Sequence, residues 1–241
     1  MSDTAEQATQ SAVRATYGAF IGAGFAFASW AARIPQVKAR LHLTPASLGV
    51  VLLAIAVGSL ISLPLSGLIV ARFGTRRTVM VMAVFVGLAL AVIGSGYRLG
   101  VAALVVGLFI LGFANGAWDV AMNVQGAHVE RQVGRSIMPR FHAGYSLGTV
   151  LGALLGAAMV ALHVSVTMHL SVVAVIVGIV VPLSVRAFLP DAAAEPASHG
   201  SQRRTAARRW REPRTLLIGV VVLSFAFAEG TGNDWINVAL I

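Results

Sequence analysis

The sequence predicts an all-α protein that crosses a membrane several times. Hydrophobic residues make up 57% of the 241 residues and charged residues only 11%, against about 45–50% and 25% in soluble domains. The apolar residues form runs long enough to cross the hydrocarbon core as helices, which takes about 20 residues each. Most charges lie in short segments between these runs. Lipid, rather than water, is therefore expected to cover much of the surface.

Seven apolar runs are predicted to be transmembrane helices. They cover residues 13–32, 46–70, 78–96, 100–126, 142–162, 166–187 and 216–236. The fifth and sixth runs form one stretch without acidic or strongly basic residues, which is too long for one crossing, so a turn between His163 and His169 is expected. The predicted organisation is a cytoplasmic amino terminus (1–12), a six-helix transmembrane bundle (13–188), a basic cytoplasmic linker (189–215) and a seventh transmembrane helix that starts a second half (216–241).

Basic residues predict the orientation, because cytoplasmic loops of membrane proteins are enriched in Lys and Arg. With the amino terminus inside, fourteen of the 18 Lys and Arg residues fall in inside segments and four in outside segments. The net charge of +9 therefore indicates topology and contact with anionic lipid, rather than binding of nucleic acid.

Two predicted helices carry polar residues on one face. In the fourth, Asn115, Asp119 and Asn123 recur every four residues and share a face. The seventh repeats the pattern with Glu229, Asn233 and Asn237, and Asp234 lies close by. Buried acids in a membrane are costly and usually mark a pathway, so these stripes are expected to line an aqueous cavity for protons and a polar solute. Hydrogen bonding between helices is the alternative. The neighbouring Trp118 and Trp235 are candidates for stacking on a sugar-like ring, although tryptophan near the end of a span also anchors the membrane interface.

The fifth predicted helix has a smooth face made by glycines at every fourth position. These are Gly144, Gly148, Gly152 and Gly156. Small residues at this spacing allow close packing of membrane helices, which is the function expected here. No motif for ATP, a dinucleotide or a metal occurs, and with no cysteine there is no thiolate site. The sequence therefore indicates neither an enzyme nor a resident cofactor.

The loop after the second predicted helix resembles a signature of the major facilitator superfamily, G-x-L-a-D-r-x-G-r-[KR]. The matching residues are Gly67, Arg72, Gly74 and Arg76, with Arg77 following, while Ala71 stands where the family usually has an acid. The segments 115–123 and 140–148 are similar to the fucose-permease-like branch, which includes bacterial inner-membrane members, so the resemblance implies a bacterial cytoplasmic (inner) membrane. The resemblance implies a twelve-helix transporter that works by alternating access, a cytoplasmic gate at residues 67–77, and a proton-coupling acid at Asp119.

The leading hypothesis is therefore proton-coupled symport of a sugar or similar small polar solute. The chain ends just after the seventh predicted helix, so it is expected to need further carboxy-terminal helices for activity. Efflux of small amphipathic compounds is an alternative within the same class. A non-transporting membrane fragment or regulatory remnant is the alternative from another class.

Overall fold

The computed structural model describes residues 3–191 and scattered positions between 212 and 228, and the described chain is almost entirely helical. Six α-helices are numbered in chain order: α1 (Asp3–Ala31), α2 (Ile34–Arg40), α3 (Pro45–Gly96), α4 (Val101–Val133), α5 (Met138–Ala161) and α6 (Val166–Ser184), followed by a short 3₁₀ turn, Val185–Ala187. The chain divides into two compact units, Met1–Asp191 and Ala192–Ile241. Most of the seventh predicted span lies outside the described residues, and its described positions, from Leu216 onward, are helical.

The second and third predicted spans form the two arms of α3. This element is 52 residues long and bends at Gly74, where φ is 79° and ψ is 164°. Glycine adopts a positive φ without steric cost, so one residue redirects the chain, and helix continues on both sides where the sequence suggested a loop. The first arm covers residues 45–73 and the second arm residues 75–96. Thr78 reinforces the bend, because its hydroxyl donates to the carbonyl oxygen of Gly74 at 2.7 Å.

Several helix boundaries differ from the predicted spans. α1 begins at Asp3 and α4 continues to Val133, because a helix can extend past its apolar part into polar surroundings. The short α2 was not predicted, since its seven residues contain no apolar run of membrane length. The turn between α5 and α6 covers only residues 162–165, with His163 at a φ of 55°. His169 lies inside α6 rather than in that turn.

The described helices have the length and surface of a multi-pass membrane protein. Within the described chain, α3, α4, α5 and the segment Val166–Ala187 are each long and apolar enough to cross a bilayer. α1 contains the first predicted span but is less apolar, because it is rich in alanine, glycine and polar residues and lies largely inside the bundle. Large side chains such as Leu60, Leu68 and Leu154 are 63–70% exposed on the outside. A contiguous apolar surface of this kind is compatible with lipid.

α1 and α5 pack at backbone distance along the glycine face of α5. A methyl group added to Gly152 would lie 2.6 Å from the carbonyl oxygen of Phe25, and one added to Gly148 would collide with the main chain of Ile21. Gly144 faces Tyr17 in the same contact, and Gly156 faces Ala32. The absence of side chains on this face is what allows the two helices to touch.

α3 packs on both α4 and α6, which completes the bundle. Its first arm approaches α4 through Gly58, which faces the main chain of Phe109, and the hydroxyl of Ser59 donates to the carbonyl oxygen of Gly112 at 3.0 Å. In its second arm Gly87 lies against the main chain of Ala174 in α6. These contacts hold α4 in place and leave one of its faces only partly covered by the described helices.

A buried arginine joins two turns at the end of the bundle opposite the amino terminus. Arg33 follows α1 and is only 2% exposed. Its Nε donates to Nδ1 of His169 at 2.9 Å, and its second terminal nitrogen donates to the carbonyl oxygen of Val164 at 3.0 Å. The α1–α2 turn is thereby fastened to the α5–α6 turn. We name this contact the buried junction.

Candidate solute pathway and gate

The polar stripe of α4 is only partly covered by the other described helices, and we call it the open face. Asp119 is exposed, and Asn115 and Asn123 are half-buried. Nδ2 of Asn123 donates to the carboxylate of Asp119 at 3.2 Å and to its main-chain oxygen at 2.9 Å. The opposite face of α4 is apolar and buried, with Ala117 and Ala121 among its core residues. The helix therefore presents a carboxylate and its amide partner outward from the bundle.

Trp118 lies on the buried side of α4 rather than on the open face. It is fully buried, and its ring edge approaches Gly22 of α1, where an added methyl group would lie 3.6 Å from Cζ2. Its indole nitrogen has no hydrogen-bond partner among the described residues. In this arrangement the ring fills space between α1 and α4 and does not face a cavity beside Asp119. The residues expected to supply the matching stripe of the seventh helix (Glu229, Asn233, Asp234, Trp235 and Asn237) lie outside the described residues.

The signature loop is exposed at the bend of α3. Gly67 has open space around it, and Arg72, Arg76 and Arg77 are all exposed. The guanidinium of Arg72 lies 5.8 Å from the centre of the Phe73 ring, and Arg76 donates to the carbonyl oxygen of Arg186 at 3.4 Å. The arginines thus surround the bend without being fixed in the core.

Thr75, directly after the bend, joins three parts of the chain. Its main-chain nitrogen donates to both carboxylate oxygens of Asp191, at 3.0 and 3.1 Å. Its buried hydroxyl donates to Oε1 of Gln125 in α4 at 3.1 Å. The second arm of α3 starts here, so the Asp191 carboxylate lies where a helix attracts negative charge. We name the contact among Thr75, Asp191 and Gln125 the open junction.

The open junction was missed by the sequence analysis. The signature flagged the loop and noted that Ala71 is not acidic, but nothing in the pattern pointed to Thr75 or Gln125. Asp191 was assigned to a solvated linker, whereas Phe188, three residues earlier, is buried and brings the chain back to α3. The available signal was the position of Asp191, an acidic residue that follows soon after the apolar end of α6. Within residues 3–191, no cluster of His, Asp or Glu has the geometry to hold a metal ion.

Comparison with known proteins identifies one family over nearly the whole chain. Residues 15–239 match the model of the Major Facilitator Superfamily. An uncharacterized MFS-type transporter of Yersinia pestis is 37% identical over 132 residues, which is 55% of this chain and 34% of that protein. An uncharacterized transporter of Sinorhizobium fredii is 34% identical over 137 residues, covering 57% and 36% of the two chains. The membrane protein MosC of Rhizobium meliloti is 34% identical over 125 residues, covering 52% and 30%. Each alignment thus spans about a third of the curated relative.

Proposed function

Since the chain belongs to the Major Facilitator Superfamily, we propose that it forms the first half of a proton-coupled transporter for a sugar or similar small polar solute. The observation that carries the proposal is the placement of Asp119 on the open face of α4, with Asn123 donating to its carboxylate. An acid kept inside a membrane span is a functional residue by default. A carboxyl group there can hold a proton in one conformation and release it in another.

In this proposal the amide side chains on either side of Asp119 bind the solute. Asn115 and Asn123 are half-buried and lie one helical turn from the carboxylate. Each amide offers two donors and an acceptor oxygen, which suits the hydroxyl groups of a sugar-like molecule. Glu229 and Asn233 are proposed to complete the pathway from the seventh helix.

Alternating access needs a gate, and the open junction supports placing it at the bend of α3. Gly74 permits the bend, and the arms on either side of it pack on α4 and α6. Asp191 supplies a carboxylate at this loop, where Ala71 cannot. We propose that this end faces the cytoplasm of a bacterium, in line with the excess of Lys and Arg there.

The proposal is tested by solute uptake into vesicles under an imposed proton gradient. Three proteins are compared with a panel of radiolabelled sugars: the 241-residue chain, the chain joined to the second half of the Yersinia pestis relative, and the joined protein with Asp119→Asn. Because the described unit supplies one wall of the pathway, accumulation is expected only in the joined protein. It is expected to be lost with Asp119→Asn and retained in the matched control Glu212→Gln, an exposed acid outside the stripe.

Equal accumulation with Asp119→Asn would refute the proton role of this residue. Extrusion of amphipathic dyes by the joined protein, without uptake of any sugar, would instead assign it to efflux. A joined protein that is inserted and folded but moves neither class of compound would favour a non-transporting function.

A further inference from the structure

A cavity lies at the end of the bundle that carries the amino terminus. Its volume is about 730 Å³, and it is bounded by the first turns of α1 and by the junction between α4 and α5. This is far from the buried junction and is separate from the polar stripe of α4. A cavity of this size is ample for a small ligand headgroup.

The charges around this cavity favour an anion. Arg14, Arg135 and Arg140 line it, against a single acidic residue, Glu6. A second acid, Glu130, lies beside the cavity, since its Oε2 accepts from the main-chain nitrogens of Ile137 and Met138, both at 2.7 Å. Three arginines against these two acids still leave the cavity with a cationic excess. Guanidinium groups are the side chains best suited to bind phosphate oxygens in pairs.

The rest of the lining is mixed, with Thr9, Gln10 and Gln132 polar and the others apolar or aromatic. The predicted spans place the cavity at the depth of the lipid headgroups. Val13, Tyr17 and Ile137 line it beside the arginines. Val13 begins the first apolar span, and the fifth span starts at His142, two residues after Arg140. An entirely water-soluble anion would gain little from this apolar wall. An amphipathic anion can place its phosphate on the arginines and its first carbons on the wall.

We propose that this cavity binds a glycerol phosphate group, presented as the headgroup of an anionic membrane phospholipid such as phosphatidylglycerol. The three arginines bind the phosphate, and Val13, Tyr17 and Ile137 contact the glycerol and the upper acyl chain. Bound lipid would bridge the first turns of α1 and the α4–α5 junction.

The test counts bound lipid on the purified 241-residue chain by native mass spectrometry. The chain is extracted from nanodiscs of equal parts phosphatidylglycerol and phosphatidylcholine, and a separate arm adds free glycerol 3-phosphate to phosphatidylcholine nanodiscs. Phosphatidylglycerol is expected to be retained at least fivefold over phosphatidylcholine. Arg135→Gln/Arg140→Gln is expected to lose this preference, whereas the control Arg40→Gln/Arg98→Gln, with exposed arginines at the other end, keeps it.

A charge-retaining variant guards against misfolding as the cause. Arg135→Lys/Arg140→Lys is expected to keep most of the preference, because the phosphate still meets two cations. Retention of free glycerol 3-phosphate without retention of phosphatidylglycerol would overturn the lipid assignment. A preference that is absent, or that survives Arg135→Gln/Arg140→Gln unchanged, would overturn the site itself.

Discussion

Each of the two polar junctions fastens separate parts of the bundle together. The charged group is buried in one junction and exposed in the other. At one end the guanidinium of Arg33 is 2% exposed and donates to His169 and Val164. At the other end Asp191 is exposed, and its carboxylate accepts from the main chain of Thr75. A buried charge that loses its partner is costly, whereas an exposed one is resolvated by water. The buried junction should therefore be costly to break, whereas the open junction can be released at a smaller cost, which is what the proposed gate requires.

The largest expected effect is at the buried junction. His169→Leu removes the acceptor of Arg33 and leaves a buried cation short of a hydrogen bond, at a cost of about 1.5–3 kcal/mol in the free energy of unfolding. The measurement is unfolding by SDS in mixed micelles, followed by circular dichroism. His163→Asn is the control, because His163 is exposed in the turn and Asn tolerates its positive φ, so stability should change little. If the two variants were equally stable, the buried junction would not be the stronger of the two junctions.

An intermediate effect is expected where Thr75 donates to Gln125. Thr75→Val keeps the shape but removes the hydroxyl, which leaves the buried Oε1 of Gln125 without its donor. The loss is expected to be about 1 kcal/mol in the same unfolding measurement. Thr75→Ser retains the hydroxyl and should recover most of the stability. If Ser is no better than Val, the hydrogen bond at 3.1 Å does not contribute to the junction.

The smallest effect on stability is expected for Asp191→Ala. The exposed carboxylate at the start of a helix contributes less than about 1 kcal/mol, so unfolding should change only slightly. Under the proposed function, transport is expected to respond more strongly, because loss of the contact with Thr75 would shift the balance between the conformations of the proposed gate. The rate of uptake by the joined protein, with Asp191→Asn as the conservative control, measures this response. A large loss of stability with unchanged transport would reverse the assignment of the two junctions.

The helical membrane fold was predictable because its signal is carried by composition and length. Runs of apolar residues of bilayer length follow from the absence of water in the hydrocarbon core, and α3, α4, α5 and α6 correspond to such runs. The sharp bend at Gly74, with helix on both sides of it, was not predictable from hydropathy. It depends on the backbone conformation of one residue, which an apolar pattern does not report.

The candidate site was predictable only in part. The four-residue spacing of Asn115, Asp119 and Asn123 places them on one face of any helix, but it does not say which face is open. Trp118 shows this limit, since it adjoins the stripe in sequence and is buried against α1. The pairs Arg33–His169 and Thr75–Asp191 join residues more than a hundred positions apart. Such contacts depend on tertiary packing, which local sequence patterns do not encode.

We propose that the open face of α4 lines a water-filled pathway. Cysteine labelling is a direct test of this proposal. The chain has no cysteine, so single cysteines can be introduced without background in a joined protein whose second half is made cysteine-free. Asn115→Cys, Asp119→Cys and Asn123→Cys are expected to react with a membrane-impermeant maleimide. Leu154→Cys, at a position 63% exposed on the apolar outside, is expected to remain unlabelled. Labelling that is no faster at Asp119→Cys than at Leu154→Cys would mean that lipid covers the α4 face, and would contradict the account.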